Sequence, residues 1–100
     1  MNVLVRAARA EDAAAISKVI IAALRESNAL DYPPEVIAQV AQNFAAPQVL
    51  ALMSQRQVYV AIHDQVVVGT ASLDQQVIRS VFVAPEQQGK GIGRLLMARI

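Results

Sequence analysis

The chain has 100 residues, a formal net charge of +1 and a hydrophobic content of 55%. This length supports one domain with a buried core, and the apolar composition excludes intrinsic disorder. The lack of cysteine excludes disulfides, thiolate catalysis and cysteine-based zinc sites, and the near-zero net charge argues against a nucleic-acid-binding surface.

The first half of the sequence predicts one strand followed by helices. Val3, Val5 and Ala7 alternate with their neighbours as in a short strand. A helix is predicted next, because apolar residues recur at spacings of three and four; these are Ile16, Val19, Ile20, Ala23 and Leu24. Two further helices are predicted from prolines that suit a first helical turn: Pro33-Pro34 opens one that carries Ile37, Val40, Ala41 and Phe44, and Pro47 opens one that runs through Met53.

The second half predicts three consecutive strands and a final helix. The first strand begins at Gln57 with one apolar face, the second runs from Val66 to Leu73, and the third runs from Val77 to Val83, where Pro85 follows; the apolar face consists of Val58, Val60 and Ile62. Turns are predicted at His63-Asp64 and Asp74-Gln75, and the final helix carries Ile92, Leu95, Leu96 and Ile100. Because no repeated strand–helix–strand crossover appears, we expect a single α+β (mixed α/β) domain with a largely antiparallel central sheet flanked by helices.

The sequence predicts a cytoplasmic protein. Charged residues interrupt the N-terminal region where a secretory signal needs an apolar run, namely Arg9, Glu11 and Asp12. The longest apolar tract, from Ala13 to Leu24, is too short to span a bilayer. We therefore predict neither a membrane partner nor a nucleic-acid partner.

A glycine-rich loop joins the last predicted strand to the last predicted helix. Glycine at positions 89, 91 and 93 removes the Cβ atoms that would keep a ligand from the backbone, so successive N–H groups can point at an anion near the helix N-terminus. Neither the G-x-G-x-x-G dinucleotide fingerprint nor the P-loop pattern fits these residues. The neighbouring cations suit a small polyanion better than a duplex; they are Arg79, Lys90, Arg94 and Arg99.

The pattern that does fit is Q/R-x-x-G-x-G/A, at Gln88-Gly89-Lys90-Gly91-Ile92-Gly93, after a strand that ends in Val-x-Val-x-Pro. This stretch resembles motif A of the GNAT superfamily of N-acetyltransferases. The order of predicted elements from Met1 to Ile100 is similar to the family's, and so is the opening Arg6-Ala7-Ala8 with Glu11-Asp12. One departure is Arg9, which stands where such chains often have a Ser or Thr helix cap.

The resemblance implies a GNAT-like fold and transfer of an acetyl group from acetyl-CoA, as cosubstrate, to a primary amine of a small molecule or peptide, without a metal. It implies that loop amides hold the pyrophosphate, with charge from Lys90 or Arg94, and that the last strand pairs with the pantetheine arm. A backbone N–H near Val83 would polarise the thioester carbonyl. The cofactor-binding residues so implied are Val81, Phe82, Val83, Gln88, Gly89, Lys90, Gly91, Ile92, Gly93 and Arg94.

The resemblance leaves the catalytic residues unknown. In the family the general acid is often a tyrosine beyond the motif A helix, and this sequence has no such region after Ile100. Arg79 and Ser80 are the polar side chains nearest the expected chemistry, although a solvated strand face explains such residues more commonly. His63 is interpreted as a turn residue, and Tyr32 either as a packing residue or as a residue that borders the acceptor.

Two other functions stay open at this point. By the resemblance, the chain is expected to be incomplete at its C-terminus, so it could be a catalytically incomplete CoA-binding or interaction module that forms a homodimer through an exposed sheet edge and helix stripe. A module for other phosphate ligands, nucleotides or RNA, is the second alternative. The few aromatic residues and the low net charge argue against RNA.

Overall fold

The computed structural model describes residues 2–28 and 32–99. The strands are β1 (Leu4–Ala7), β2 (Gln57–His63), β3 (Val66–Asp74) and β4 (Val77–Val83), and the helices are α1 (Ala13–Asn28), α2 (Pro34–Gln42), α3 (Ala46–Gln55) and α4 (Ile92–Arg99). The strands lie in the order β1-β2-β3-β4, and each adjacent pair is antiparallel. The predicted α+β class with an antiparallel central sheet is confirmed.

Apolar clusters cover both faces of the sheet. The first lies under α1 and α3, where the apolar stripe of α1 is buried as predicted and Val60 is fully enclosed, with Val58 and Ile62 packed beside it. The second lies between the opposite face and α4, and consists of Ala61, Val68, Ala71, Ile92 and Leu96. The sheet is therefore a middle layer, and α4, which follows the glycine loop, packs on its second face.

Three details differ from the prediction. Helix α2 ends at Gln42, so Phe44 lies in the following turn, because the helix that starts at Ala46 has a proline in its first turn. The turn after β2 is formed by Asp64 and Gln65, whose φ values of 51° and 66° are those of a type I′ hairpin turn, which requires positive φ at both positions. Leu95 is 45% exposed and so lies outside the buried stripe of α4, while Ile100 falls outside the described residues.

The helices of the described residues were compared with the length and composition that a bilayer span needs. No single helix there is both long and apolar enough to cross a bilayer, and only the pair α2 and α3, bent by 55°, meets the length and composition together.

A bidentate ion pair joins β1 to the start of α1. The guanidinium of Arg6 donates to both carboxylate oxygens of Asp12, at 2.8 and 3.1 Å, and the backbone N–H of Arg9 donates to the same carboxylate at 2.7 Å. Asp12 is buried. Its carboxylate thus accepts from the N–H of the cap residue, Arg9, as the third residue of a capping box does, whereas Arg9 has no side-chain oxygen to accept from the N–H groups of the first helical turn.

We expect Asp12→Asn to lower the free energy of unfolding by about 2 kcal/mol at neutral pH, because Arg6 is then left partly buried without its anion. The hydrogen bonds from Arg6, followed by the one from the Arg9 backbone, lower the pKa of Asp12 in the folded state. The stabilisation is therefore complete above the unfolded-state pKa of about 3.9 and is lost as pH falls through the lower folded-state pKa.

Urea unfolding at pH 7 and at pH 3 measures this effect. The variant should show a smaller loss of stability on acidification than the unsubstituted chain. Glu11→Gln is the matched control, since the Glu11 side chain is 73% exposed and its pair with Arg9 is long, at 3.5 Å. Equal acid sensitivity of the Asp12→Asn variant and the unsubstituted chain would contradict the assignment.

Candidate functional site

The glycine loop lies between the end of β4 and the start of α4. After Val83 a one-turn 3-10 helix (Pro85–Gln87) leads into it. Gly89 and Gly91 have φ values of +82° and +81°, a conformation that residues with a Cβ rarely adopt. A Cβ built on either glycine would meet no protein atom within 4 Å. The backbone conformation therefore requires glycine here, and the space above the loop is open to a ligand.

Six consecutive backbone N–H groups, from Gly89 to Arg94, have no protein acceptor among the described residues. The next one, of Leu95, donates to the Gly91 carbonyl at 3.0 Å and begins the helical pattern. Free N–H groups and the positive end of the helix dipole together favour an anion at this position. The N–H of Gln88 is different, because it already donates to the Pro85 carbonyl at 3.3 Å.

Two cations flank these N–H groups. Lys90 and Arg94 are exposed, and neither forms an ion pair with a described carboxylate. Among the described residues, the Lys90 ammonium hydrogen-bonds to one side chain, donating to the uncharged side-chain oxygen of Gln87 at 3.3 Å. Both side chains are thus available to an anion bound at the start of α4.

The outer edge of β4 faces no other strand in the described part of the chain. The N–H of Ala84 donates to the Val68 carbonyl at 2.8 Å, so it points toward β3. Because successive residues of a strand alternate in direction, Phe82 also points its backbone groups toward β3, whereas Val81 and Val83 point theirs outward. Consistently, the Val83 carbonyl accepts a long contact of 3.4 Å from the Gln88 side chain.

Of the three strand residues predicted to bind the cosubstrate, Val81 and Val83 therefore offer backbone groups to the open edge. Phe82 differs, since its inward backbone faces β3 and its ring packs edge-on against Phe44, with 5.9 Å between ring centroids. Its place on the face beneath α1 is that of a core residue.

A β-bulge interrupts β4 before Val81. Ser80 lies opposite Ser72 and Ile78 lies opposite Leu73, so Arg79 is the extra residue. The Ser80 hydroxyl oxygen is 2.8 Å from that of Ser72. The Arg79 guanidinium is 3.6 Å from the carboxylate of Asp74, a half-exposed pair that contributes little to stability.

The remaining candidates lie elsewhere. His63 is on β2, separated from β4 by β3, and its ring nitrogens lie 2.9 Å from the Asn2 carbonyl oxygen and 3.4 Å from the Asp64 carboxylate. Tyr32 is 53% exposed and lines a cavity of about 290 Å³ together with Leu24, Val36, Ile37 and Val40. Within residues 2–28 and 32–99, no three His, Asp or Glu side chains lie close enough together to hold a metal ion.

Gly69 is a positioning residue that was not predicted. A Cβ at this residue of β3 would lie 3.0 Å from Ile92 Cγ2, 3.1 Å from Leu96 Cδ1 and 3.2 Å from the Phe82 carbonyl oxygen. Helix α4 therefore packs closely over this glycine, with no room for a side chain between the helix and the strand. An isolated glycine within a strand pattern is the signal that could have identified it.

Comparison with known proteins bears on this arrangement. Residues 54–100 match the family model described as an acetyltransferase (GNAT) domain. A search of curated proteins finds no match. Similar solved structures include the PaiA N-acetyltransferase of Thermoplasma acidophilum in complex with coenzyme A, with 18% identity, a TM-score of 0.90 and 99% of this chain covered.

Two further structures are similar. The GCN5-related N-acetyltransferase of Rhodopseudomonas palustris has 26% identity, a TM-score of 0.87 and 99% of this chain covered. A GNAT family acetyltransferase of Brucella melitensis in complex with acetyl-CoA has 25% identity, a TM-score of 0.71 and 98% of this chain covered. In turn, this chain spans 69%, 63% and 65% of the three proteins, in the order given. The predicted resemblance is thereby confirmed: residues 54–100 match the GNAT acetyltransferase domain, and the chain as a whole has the fold of solved GNAT N-acetyltransferases.

Proposed function

We propose that this chain binds acetyl-CoA and takes part in transfer of the acetyl group to a primary amine. The observation that carries the proposal concerns the described residues: the six N–H groups from Gly89 to Arg94, which have no acceptor there, follow directly after β4, whose outer edge pairs with no strand there. The Thermoplasma protein with coenzyme A and the Brucella protein with acetyl-CoA support it, since both share this fold.

The residues present fit such a ligand. A pyrophosphate needs several hydrogen-bond donors and positive charge, which the N–H groups of Gly89 to Arg94 and the side chains of Lys90 and Arg94 would provide. The space above Gly89 and Gly91 is free of protein atoms, so the ligand could approach the backbone directly. Gln88 would contribute less than its neighbours, because its N–H already has a partner.

The strand edge would serve the extended arm of the ligand. Val81 and Val83 can pair with it through backbone hydrogen bonds, in the way that a peptide adds to a sheet edge. Bound acetyl-CoA supplies an acetyl group activated as a thioester. An outward N–H aimed at the thioester oxygen would stabilise the charge that grows there, by about 3 kcal/mol in comparable sites. Ser80 immediately precedes Val81 on the same strand, and its hydroxyl is hydrogen-bonded to that of Ser72.

We expect the chain to bind coenzyme A with a Kd on the order of micromolar, and ATP at least about tenfold more weakly. The reason is that both ligands carry phosphates for the loop, but only coenzyme A carries an arm for the edge of β4. Calorimetric titration with each ligand, followed by competition, measures the difference. Equal affinity for ATP would instead support the nucleotide-binding alternative.

The interaction-module alternative is distinguished by two readings of the same sample. Light scattering reports whether the chain forms a homodimer, for which the open edge of β4 and the exposed Leu95 and Met97 of α4 offer a surface. Release of free thiol from acetyl-CoA in the presence of amines reports turnover. Coenzyme A binding with a dimer and no turnover would favour a CoA-binding module over an enzyme.

A further inference from the structure

A half-buried arginine lies at the end of the sheet where β4 begins. Arg56 follows α3 directly, and its backbone N–H donates to the Leu52 carbonyl at 2.8 Å, which closes the helix. Its own backbone is extended, with φ −135° and ψ 158°, and β2 starts at the next residue. The position of Arg56 is therefore fixed from both sides, by a helix end and a strand start.

The guanidinium of Arg56 is half-buried but forms few hydrogen bonds. One Nη atom lies 3.5 Å from the Ser72 hydroxyl oxygen, a weak contact. Across the described ranges, no carboxylate lies within ion-pair distance of it, whereas Arg6, Arg9 and Arg79 each have one. A guanidinium has five N–H donors in a planar fork that matches a carboxylate, so Arg56 has unused capacity for an anion.

Two hydroxyl groups extend this capacity toward the middle of β4. Ser72 is buried, and its oxygen is 2.8 Å from that of Ser80. In such a pair one hydroxyl donates to the other, which leaves the second proton free to donate to a ligand. Ser80 precedes Val81, the first residue of β4 beyond the bulge whose backbone faces the open edge. We call Arg56, Ser72 and Ser80 the Arg56 subsite.

Arg56 is accessible and lies at the end of β4 opposite the glycine loop. A cavity of about 370 Å³ opens beside Arg56, lined by Ser54, Gln55, Gln57, Leu73, Asp74 and Gln75. It lies at the turn between β3 and β4, whereas the glycine loop follows the other end of β4. The carboxylate in this cavity, that of Asp74, faces Arg79 at 3.6 Å. A ligand held here would approach the middle of β4 from the end opposite the glycine loop, where the phosphates of acetyl-CoA lie in the proposed complex.

We propose that the Arg56 subsite binds a carboxylate of the acceptor, so that the acceptor is an amine that also carries a carboxylate, as amino acids and peptides do. The inference rests on the proposed function, because it assigns the second substrate of the same site. Arg56 is a positioning residue in this arrangement. It holds the carboxylate while the amine extends toward Val81, and it takes part in no covalent step.

Matched pairs of amines test the proposal. Glycine, β-alanine and alanylalanine are each compared with the corresponding amide by calorimetry, with the chain saturated with coenzyme A. The three pairs place the carboxylate at different distances from the amine. We expect at least one acid to bind about tenfold or more tightly than its amide, and Arg56→Gln to abolish this preference. Arg56→Lys should retain part of it, since it keeps the charge and loses the fork.

Arg9→Gln is the matched control, because it removes the same charge from an exposed side chain that precedes α1. It should leave the preference for the acid unchanged. Should Arg56→Gln fail to melt cooperatively, Ser80→Ala replaces it, with a several-fold loss of acid affinity expected. Equal binding of acid and amide in all three pairs, or an undiminished preference in these variants, would overturn the proposal.

A separate experiment distinguishes failure of this inference from failure of the proposed function. If the chain does not bind coenzyme A, the same titrations are followed by NMR on the chain alone, through the Nε–H signal of Arg56. A shift of that signal with an acid and none with its amide would still support the Arg56 subsite. Absence of any acid-specific shift would overturn it independently of coenzyme A.

Discussion

Replacement of Gly91 by glutamate is expected to weaken coenzyme A binding by at least about 100-fold, or roughly 2.7 kcal/mol. Two effects act together. Gly91 has a φ of +81°, where a residue with a Cβ costs about 1–2 kcal/mol of strain. The new carboxylate would also enter the open space above the loop, where the free N–H groups face the phosphates in the proposed complex. Calorimetric titration of the folded variant measures the loss.

Two control variants separate the causes. Gly91→Ala adds the backbone strain without the charge and should give an intermediate loss. Gln39→Glu adds the same charge on an exposed residue of α2 and should bind coenzyme A like the unsubstituted chain. If Gly91→Glu bound coenzyme A with unchanged affinity, the loop would not be the phosphate site.

The second large effect is expected at Gly69. Gly69→Val should lower the free energy of unfolding by about 3 kcal/mol, because even a Cβ would lie 3.0 Å from Ile92 and 3.2 Å from the Phe82 carbonyl oxygen. The side chains of α4 can move, but the carbonyl belongs to the sheet. The helix would have to lift from β3, so coenzyme A binding should weaken together with stability.

Denaturant unfolding and calorimetry on the same sample measure both effects. Gly93→Ala is the matched control in the same interface, since its Cβ would lie 3.8 Å from Val83 and 3.9 Å from Val81, which is ordinary van der Waals contact. It should cost no stability, because alanine is the better helix former. A Gly69→Val variant as stable as the unsubstituted chain would show that α4 does not pack closely against Gly69.

Local patterns predicted most of the elements. The spacing of Ile16, Val19 and Ile20 and the alternation of Val58 and Val60 each reflect one buried face, and a buried face is a property of consecutive residues. Errors arose where a boundary depends on the start of the next helix, as at Phe44, or on which two residues take positive φ, as in the turn after His63. The glycine loop was predictable because its residues are contiguous.

The rest of the candidate site could not be predicted, because it depends on contacts between distant residues. The packing of Ile92 over Gly69, where an added Cβ would lie 3.0 Å from Ile92 Cγ2, joins residues of different elements, and so does the contact of Arg56 with Ser72. Which of Val81 and Phe82 faces the open edge depends on the register with β3, since a shift of one residue reverses the assignment. A sequence pattern alone does not contain that register.

If the proposed function holds, the span of β4 between its bulge and the glycine loop has a consequence for which acyl donors would fit. Each residue of a strand advances about 3.3 Å, so the backbone from Ser80 to Val83 covers about 10 Å. In the proposed complex, a donor anchored by its phosphates at the loop would need an arm that extends along this edge to bring its acyl group to the outward N–H groups of Val83 or Val81. Small thioesters that lack the arm would not span this distance, even if their acyl group were identical. In the proposed complex the strand would thus discriminate between acyl carriers by the length of the arm, before any side chain contacts the acyl group.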